Sequence, residues 1–418
     1  MKVILLTQYY PPERGAPQNR LSALARSLQR EGAEVTVLTG IPNYPEMRIH
    51  DGYRGRWSME ERMDDIQVVR SWLMVSTKRG IIWRLGNYFS FVLSALITGL
   101  FKLKRSDLLI VESPPLFLGI TAMLLARAKG AKLVFNVSDL WPESAVKLGL
   151  VTNSLLIGLS TKLELMCYRR AALVTGQTQG IVADIRARIP GKQVRWVPNG
   201  IDLEDVERAL ATCDRAAERS AMGVGTDDLV LFYAGIIGHA QGLEVVLEAA
   251  HQVRELEGLH ILLIGDGPVR AALQQRSREL DLPNVRFVDG MKRVDLLRAI
   301  AAMDAAVVPL RKNDLFKGAI PSKIFEALAL GKPLLLGVEG EAHDLFIEQA
   351  KAGIAFAPED AAQLAQAIRR YYADRSLMAV QGANGARYVR ERFDRAVIGA
   401  ELCAELRHVL ASQPGTNA

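Results

Sequence analysis

Residues 307–337, VVPLRKNDLFKGAIPSKIFEALALGKPLLLG, contain two short apolar runs with a loop and a helix between them. Residues 307–310 have no polar side, as expected of a strand buried on both faces. Residues 311–320 are a polar loop. Pro321 and Ser322 predict a helix start, with Ser322 as N-cap. Ile324, Phe325, Leu328 and Ala329 keep helical spacing. Gly331 and Pro333 stop the helix before a second apolar run at 334–336. Two buried strands joined through a helix must run parallel, because a parallel pair needs a crossover. The pattern recurs along the chain. Strands are predicted at 3–7, 35–38, 108–111, 133–137, 173–175 and 194–197, and again at 230–233, 260–264 and 285–288. A chain of 418 residues is long enough for two domains of about 200 each. Pro198-Asn199-Gly200 is a turn signal and marks the junction. The expected class is α/β, with two parallel sheets.

Composition narrows the partners. A hydrophobic content of 49% with 23% charged residues is that of a globular chain. The formal charge of +6 favours acidic partners such as phosphates or membrane lipids, and no nucleic-acid partner is expected. Cys167, Cys213 and Cys403 lie far apart, without metal-ligand spacing, and suit a reducing cytoplasm. No metal or other cofactor is expected. The start, MKVILLTQYYPP, predicts a strand and a turn rather than a secretion signal.

The charge is unevenly spread. Residues 66–106 hold no acid, and Arg70, Lys78, Arg79, Arg84, Lys102, Lys104 and Arg105 give +7 there, more than the net charge of the whole chain. Between these clusters residues 85–101 are uncharged and mostly apolar, yet shorter than the run of about 20 that spans a bilayer. The expectation is a partly exposed helix of the first domain, resting on an anionic membrane face. A buried core helix with basic ends is the alternative.

Candidate site residues follow from position on the sheets, since ligands bind at the C-terminal ends of parallel strands. Lys323 sits in the first turn of its helix, where a cation is disfavoured unless an anion is held there. Glu326, about one turn on, can accept hydrogen bonds from both hydroxyls of a ribose. Gly15, in a loop after the first strand, lets backbone approach a ligand closely. Asp139, in SDLWPES after the strand at 133–137, can bind or deprotonate a sugar hydroxyl or cap a helix. Gly235, Gly238 and Gly242 can turn backbone N–H groups toward an anion. GDGPVRA at 265–271 imitates a dinucleotide fingerprint, but Arg270 stands where the third glycine belongs, so NAD binding is not expected.

Taken together, YYPPERGAPQNRLSALARSL, VPNGID, YAGIIGHAQGLEVVLEA, IGDGPVRAAL and PSKIFEALALGKP resemble the retaining glycosyltransferases of family 4, over almost the whole chain and in order. DLWPES and PSKIFE are most similar to bacterial members that build O-antigen and capsule sugars, including L-fucosamine transferases. The resemblance implies the GT-B fold, two Rossmann-like domains with parallel sheets facing an interdomain cleft. Residues 1–199 would hold the acceptor and residues 200–390 the nucleotide sugar, with a helix in 391–418 crossing back. It implies Asp139, Lys323 and Glu326 as the catalytic set. Gly15, Gly235, Gly238, Gln241, Asp266, Gly267, Met291, Arg311, Lys317, Pro321 and Ser322 would contact the donor. Three positions depart from the family pattern. Gly318 replaces an acid eight residues before Glu326. Ile236 and Gln241 replace the Arg and Lys often found in the glycine loop, leaving phosphate charge to Lys323, with Arg311 or Lys317. Ser138 replaces a histidine. The implied reaction moves a sugar, an N-acetylated amino sugar, from a UDP-sugar to a polyprenyl-diphosphate-linked saccharide on the inner face of the plasma membrane. A UDP-sugar 2-epimerase and a non-catalytic nucleotide-sugar-binding protein are the alternatives.

Overall fold

The computed structural model describes residues 1–13, 15–44, 47–78, 81–147 and 151–412. Arg79 of the basic segment lies outside them. The chain forms two compact units, Met1–Asn199 with Arg395–Ala418, and Gly200–Asp394.

The first unit is built on β1 (Lys2–Leu6), α1 (Ala16–Arg30), β2 (Glu34–Gly40), β3 (Ser58–Met63), β4 (Ile66–Ser71), α2 (Ile81–Lys102), β5 (Leu108–Ser113), α3 (Leu118–Lys129), β6 (Lys132–Val137), α4 (Glu143–Lys147), α5 (Ser154–Arg170), β7 (Leu173–Gly176), α6 (Gln179–Arg188) and β8 (Val194–Trp196). Its sheet runs β3-β4-β2-β1-β5-β6-β7-β8, parallel except for the β3–β4 hairpin. The order reverses between β1 and β5, so right-handed crossovers send α1 to one face and α2, α3, α5 and α6 to the other. Two apolar cores result. One joins Phe91 and Leu125 to Phe135, Tyr168 and Ile185, and the other joins Leu21 and Leu28 to Leu5, Val37 and Leu402.

The second unit adds α7 (Leu203–Thr212), α8 (Arg215–Ala221), β9 (Leu229–Ala234), α9 (Glu244–Gln252), β10 (Leu259–Ile264), α10 (Arg270–Glu279), β11 (Val285–Val288), α11 (Arg293–Ala302), β12 (Ala305–Pro309), α12 (Lys323–Ala329), β13 (Leu334–Gly337), the short turn α13 (Glu341–His343), β14 (Gly353–Ala355), α14 (Ala361–Ala373) and α15 (Arg375–Arg392). The parallel order is β11-β10-β9-β12-β13-β14, with its reversal between β9 and β12. Phe325, Phe346, Tyr388 and Phe393 pack together, with Phe325 and Phe393 centroids 5.0 Å apart. The last helix, α16 (Arg395–Ala411), packs on α1 in the first unit.

Four features depart from what local pattern suggests. Ahead of residue 66 lies β3, whose SMEERM is too charged to read as a buried strand. The charged, Ala-rich segment after the junction forms two helices, α7 and α8, because Asp214 caps the second through the N–H of Ala217. Arg70 is not a membrane-facing cation. It is fully buried and gives its guanidinium to Glu61 and to the carbonyls of Gly40 and Pro11. Lys102 is paired with Glu60 at 2.8 Å.

Candidate active site

The reversal between β9 and β12 opens a crevice at the strand ends, where an open α/β sheet takes its ligand. Three connections of the second unit converge there: the turn after β9, the turn after β10, and the loop from β12 to α12. Lys323, at the start of α12, reaches back to β9. Its Nζ donates to Tyr233 Oη at 3.0 Å and to Gln241 Oε1 at 2.7 Å, and lies 4.2 Å from the centre of the Tyr233 ring. Tyr233 Oη donates in turn to the Ile236 carbonyl at 2.6 Å. Burial pushes the phenol pKa up, so the hydroxyl stays neutral. The ammonium therefore has a neutral cage and no ion pair among the described residues. Burial pushes its pKa down to about 7, against a smaller opposing pull from Glu326.

Gly235 lines this approach. Its φ of +144° is one that L side chains rarely adopt, and a Cβ there would meet Lys323 Cε at 3.4 Å. Gly238 differs. Its backbone is extended, with φ −119°, and an added Cβ would touch only the Ile236 side chain, at 3.6 Å. Gly267 serves loop packing, since a Cβ there would lie 2.3 Å from the Ile237 carbonyl. Its N–H is already given to its own neighbour, Asp266 Oδ1, at 2.7 Å.

Glu326 is held from the side. Arg293, at the start of α11, donates to its Oε1 at 2.7 Å and to Asp205 of α7 at 3.0 Å. Met291 lies half-buried in the connection before α11 and Pro321 half-buried before α12. Ser322 occupies the cap position, but its backbone is already helical and its hydroxyl makes no capping bond. At this end of the seven-residue α12 the charge is that of the Lys323 side chain, with no capped terminus beside it. Neither Arg311 nor Lys317 is a free phosphate ligand. Arg311 bonds the His239 carbonyl at 2.7 Å, Glu244 at 2.8 Å and Glu359 at 3.3 Å, while Lys317 pairs with Asp314 at 2.7 Å.

In the first unit Asp139 follows β6. Burial raises its carboxyl pKa, opposed by hydrogen bonds from the Ser144 hydroxyl and the Leu140 N–H. Ser138 beside it belongs to a polar cluster. Arg20 of α1 donates to Glu112 at 2.5 Å and to the Ser138 hydroxyl at 2.9 Å, and Ser138 donates to Glu112. Gly15 precedes α1 with an extended backbone, against the Gln18 side chain. Glu143 pairs with Arg188 at 2.6 Å.

So Lys323, Gly235 and Gln241 come together directly, with Glu326 a turn along α12. Sequence reading missed Tyr233 and Arg293. A tyrosine in a fully buried strand was a usable signal, because its hydroxyl needs a partner. Arg293 gave none.

The fold is two parallel-sheet α/β units, and this crevice lies where such a sheet takes a ligand. Family models agree. The glycosyl transferase 4-like domain matches residues 15–200 and the glycosyl transferases group 1 domain residues 214–388. The chain belongs to the family 4 glycosyltransferases with the GT-B fold. WcaI of Escherichia coli (strain K12), named for colanic acid biosynthesis, is 25% identical over 81% of this chain and 84% of its own. WbjE of Pseudomonas aeruginosa, named as a glycosyltransferase, is 25% identical over 67% of this chain and 69% of its own. Among solved structures, sucrose-phosphate synthase from Thermosynechococcus elongatus superposes with a TM-score of 0.75 at 19% identity, over 99% of this chain and all (100%) of that one. HepE of Anabaena in complex with UDP-glucose gives 0.69 at 18% identity, over 98% of this chain and 100% of that one.

Proposed function

We propose that this glycosyltransferase moves an N-acetylated amino sugar from UDP to a polyprenyl-diphosphate-linked saccharide, with retention, in bacterial surface polysaccharide synthesis. The observation that carries the donor reading is the Lys323 ammonium, desolvated and without a counter-ion among the described residues at the strand crossover. A diphosphate supplies the missing charge. Glu326, one turn along, keeps Oε2 for ribose hydroxyls while Arg293 holds Oε1. UDP is favoured because a solved structure of the same fold is a complex with UDP-glucose. The polysaccharide context is supported by WcaI, and the amino sugar by the resemblance of DLWPES and PSKIFE.

In the reaction the bond from the anomeric carbon to the β-phosphate oxygen breaks and a bond to the acceptor hydroxyl oxygen forms on the same face. The hydroxyl proton leaves with the departing diphosphate. Lys323 offsets the charge that grows on that diphosphate, without a metal. Asp139, half-buried and tied to Ser144, binds a sugar hydroxyl. A cytoplasmic enzyme, attached through α2 to the inner face of the membrane, would meet a lipid-borne acceptor there.

Transfer to a lipid-linked acceptor and UDP binding by calorimetry test this. Lys323→Ala should lower the rate roughly 100- to 1000-fold, the loss typical of one preorganised charge donor. Glu326→Ala should chiefly weaken UDP. A near-normal Lys323→Ala rate would move the phosphate site elsewhere.

A further inference from the structure

The face of the first unit covered by α2, α3 and α5 is apolar well beyond α2. On α2, Phe89, Leu93, Ile97 and Phe101 form one exposed stripe at helical spacing, with Leu93 63% and Phe101 85% exposed, while Phe91 and Ala95 on the opposite side are buried. Leu85–Lys102 is long and apolar enough to cross a membrane, yet this packing lays it against the sheet. Next to α2 lies α3, which exposes Ile120 and Leu124; next to α3 lies α5, whose first turns expose Leu155, Leu156 and Leu159, with Leu155 70% exposed. Residues 148–161 carry no charge at all.

All three helices run against the strand direction, so their C-termini share one edge. Lys129 shows that the ends of α2 and α3 adjoin, since its Nζ donates to the carbonyls of Leu100 at 2.8 Å and Leu103 at 2.6 Å. Arg127 and Arg170 border one cavity of about 920 Å³, which joins the ends of α3 and α5. Lys104, Arg105, Arg127, Arg169 and Arg170 along this edge are exposed and form no ion pair among the described residues. The three helices hold a single acid, Glu164, and it is buried with Tyr168 and Arg188.

We infer that α2, α3 and the leucine-rich start of α5 form one bilayer-docking face, with the cations at the helix ends seated on anionic lipid headgroups. This deepens the reading of a lipid-borne acceptor and rests on it. Apolar side chains beside unpaired cations match the boundary between acyl chains and anionic headgroups. A second copy of the chain offers no acid on this face to meet the cations.

The test is co-sedimentation with vesicles of phosphatidylcholine, alone or with phosphatidylglycerol, alongside light scattering for oligomeric state. Wild type should pellet with anionic vesicles and be released by salt. Leu155→Ser with Leu159→Ser leaves α2 intact and should weaken binding roughly ten-fold or more, from the loss of two exposed leucines that the bilayer would bury. Arg127→Gln with Arg170→Gln should lose the preference for phosphatidylglycerol. Both variants should melt as wild type and transfer normally to a water-soluble saccharide acceptor. Unchanged pelleting of the leucine variant would remove α5 from the face. A dimer that the leucine variant dissociates would assign the face to a second copy. Loss of transfer to the soluble acceptor by wild type would instead count against the transferase reading and leave the vesicle result standing.

Discussion

Lys323 sits against a phenol and an amide, not a carboxylate, and its protonation therefore answers to the ligand. Its pKa in the free protein is about 7, below the ordinary lysine value. A bound diphosphate favours the ammonium and raises it. Donor binding above pH 7 must then take up a proton, and affinity should fall as pH rises, by up to about ten-fold per unit. Calorimetry of UDP binding in buffers of different ionisation enthalpy reads the proton directly; Lys323→Arg, charged throughout, should flatten the dependence. Folding stability moves the other way. Between about 7 and the unfolded value the unfolded chain keeps the proton that the folded one releases, so this group's contribution rises with pH across that window. Arg293 acts one step removed, as a positioning residue for Glu326. Arg293→Ala should weaken UDP several-fold and leave inorganic pyrophosphate unchanged. With Glu326→Ala already present it should add little, a non-additivity that a merely structural arginine would not show. The helix start that carries Lys323 and Glu326 was legible from Pro-Ser before an apolar stripe, although Ser322 makes no capping bond. Their pairing with Tyr233 and Arg293 was not, because it spans 90 and 33 positions of chain.

The glycines around β9 and β10 show why a motif does not declare its purpose. Gly265 has φ +137°, and a Cβ there would fall 2.0 Å from the Gly235 carbonyl. Gly267 is crowded by Ile237. Both permit one loop to lie on another, so the dinucleotide-like pattern is a packing device here. Gly238 alone has neither strain nor crowding behind it. Gly265→Ala should therefore lower the melting temperature by an amount worth roughly 2–4 kcal/mol, and donor binding with it. Gly238→Ala should melt as wild type, because its N–H is given to the Ile236 carbonyl at 3.1 Å and an added Cβ meets only the Ile236 side chain at 3.6 Å; a fall in UDP affinity would show that the donor packs against this backbone, and unchanged affinity would return this glycine to the role of a plain turn. Parallel strands were readable as buried apolar runs. The β3–β4 hairpin escaped because an edge strand facing solvent keeps its charges, and because Arg70 in β4 is neutralised by partners no local pattern reveals.

Across the molecule the decisive contact is the one between the two ends of the chain. The first unit is discontinuous: α16 returns after the whole second unit to lie on α1. Ser27 Oγ donates to the Arg395 carbonyl across 368 positions, and a Cβ on Gly399 would lie 2.2 Å from the Ser27 side chain. Leu402, Cys403, Leu406 and Val409 are buried in the core that holds Leu21 and Leu28. Lys132 seals the end of the helix, donating to the carbonyls of Val409 at 2.7 Å and Ser412 at 2.8 Å, where a cation is favoured. Nothing local says which surface α16 covers; only the family resemblance did. Three large side chains at about 1.5–3 kcal/mol each make its burial comparable to the whole stability of a domain. Residues 1–199 alone should therefore fail to fold, exposing α1 and the strands beneath it. Joined to residues 395–412 by a flexible linker, the same segment should regain a cooperative melt and dispersed amide signals. A cooperative melt from residues 1–199 alone would show that the returning helix is an attachment and not part of the core.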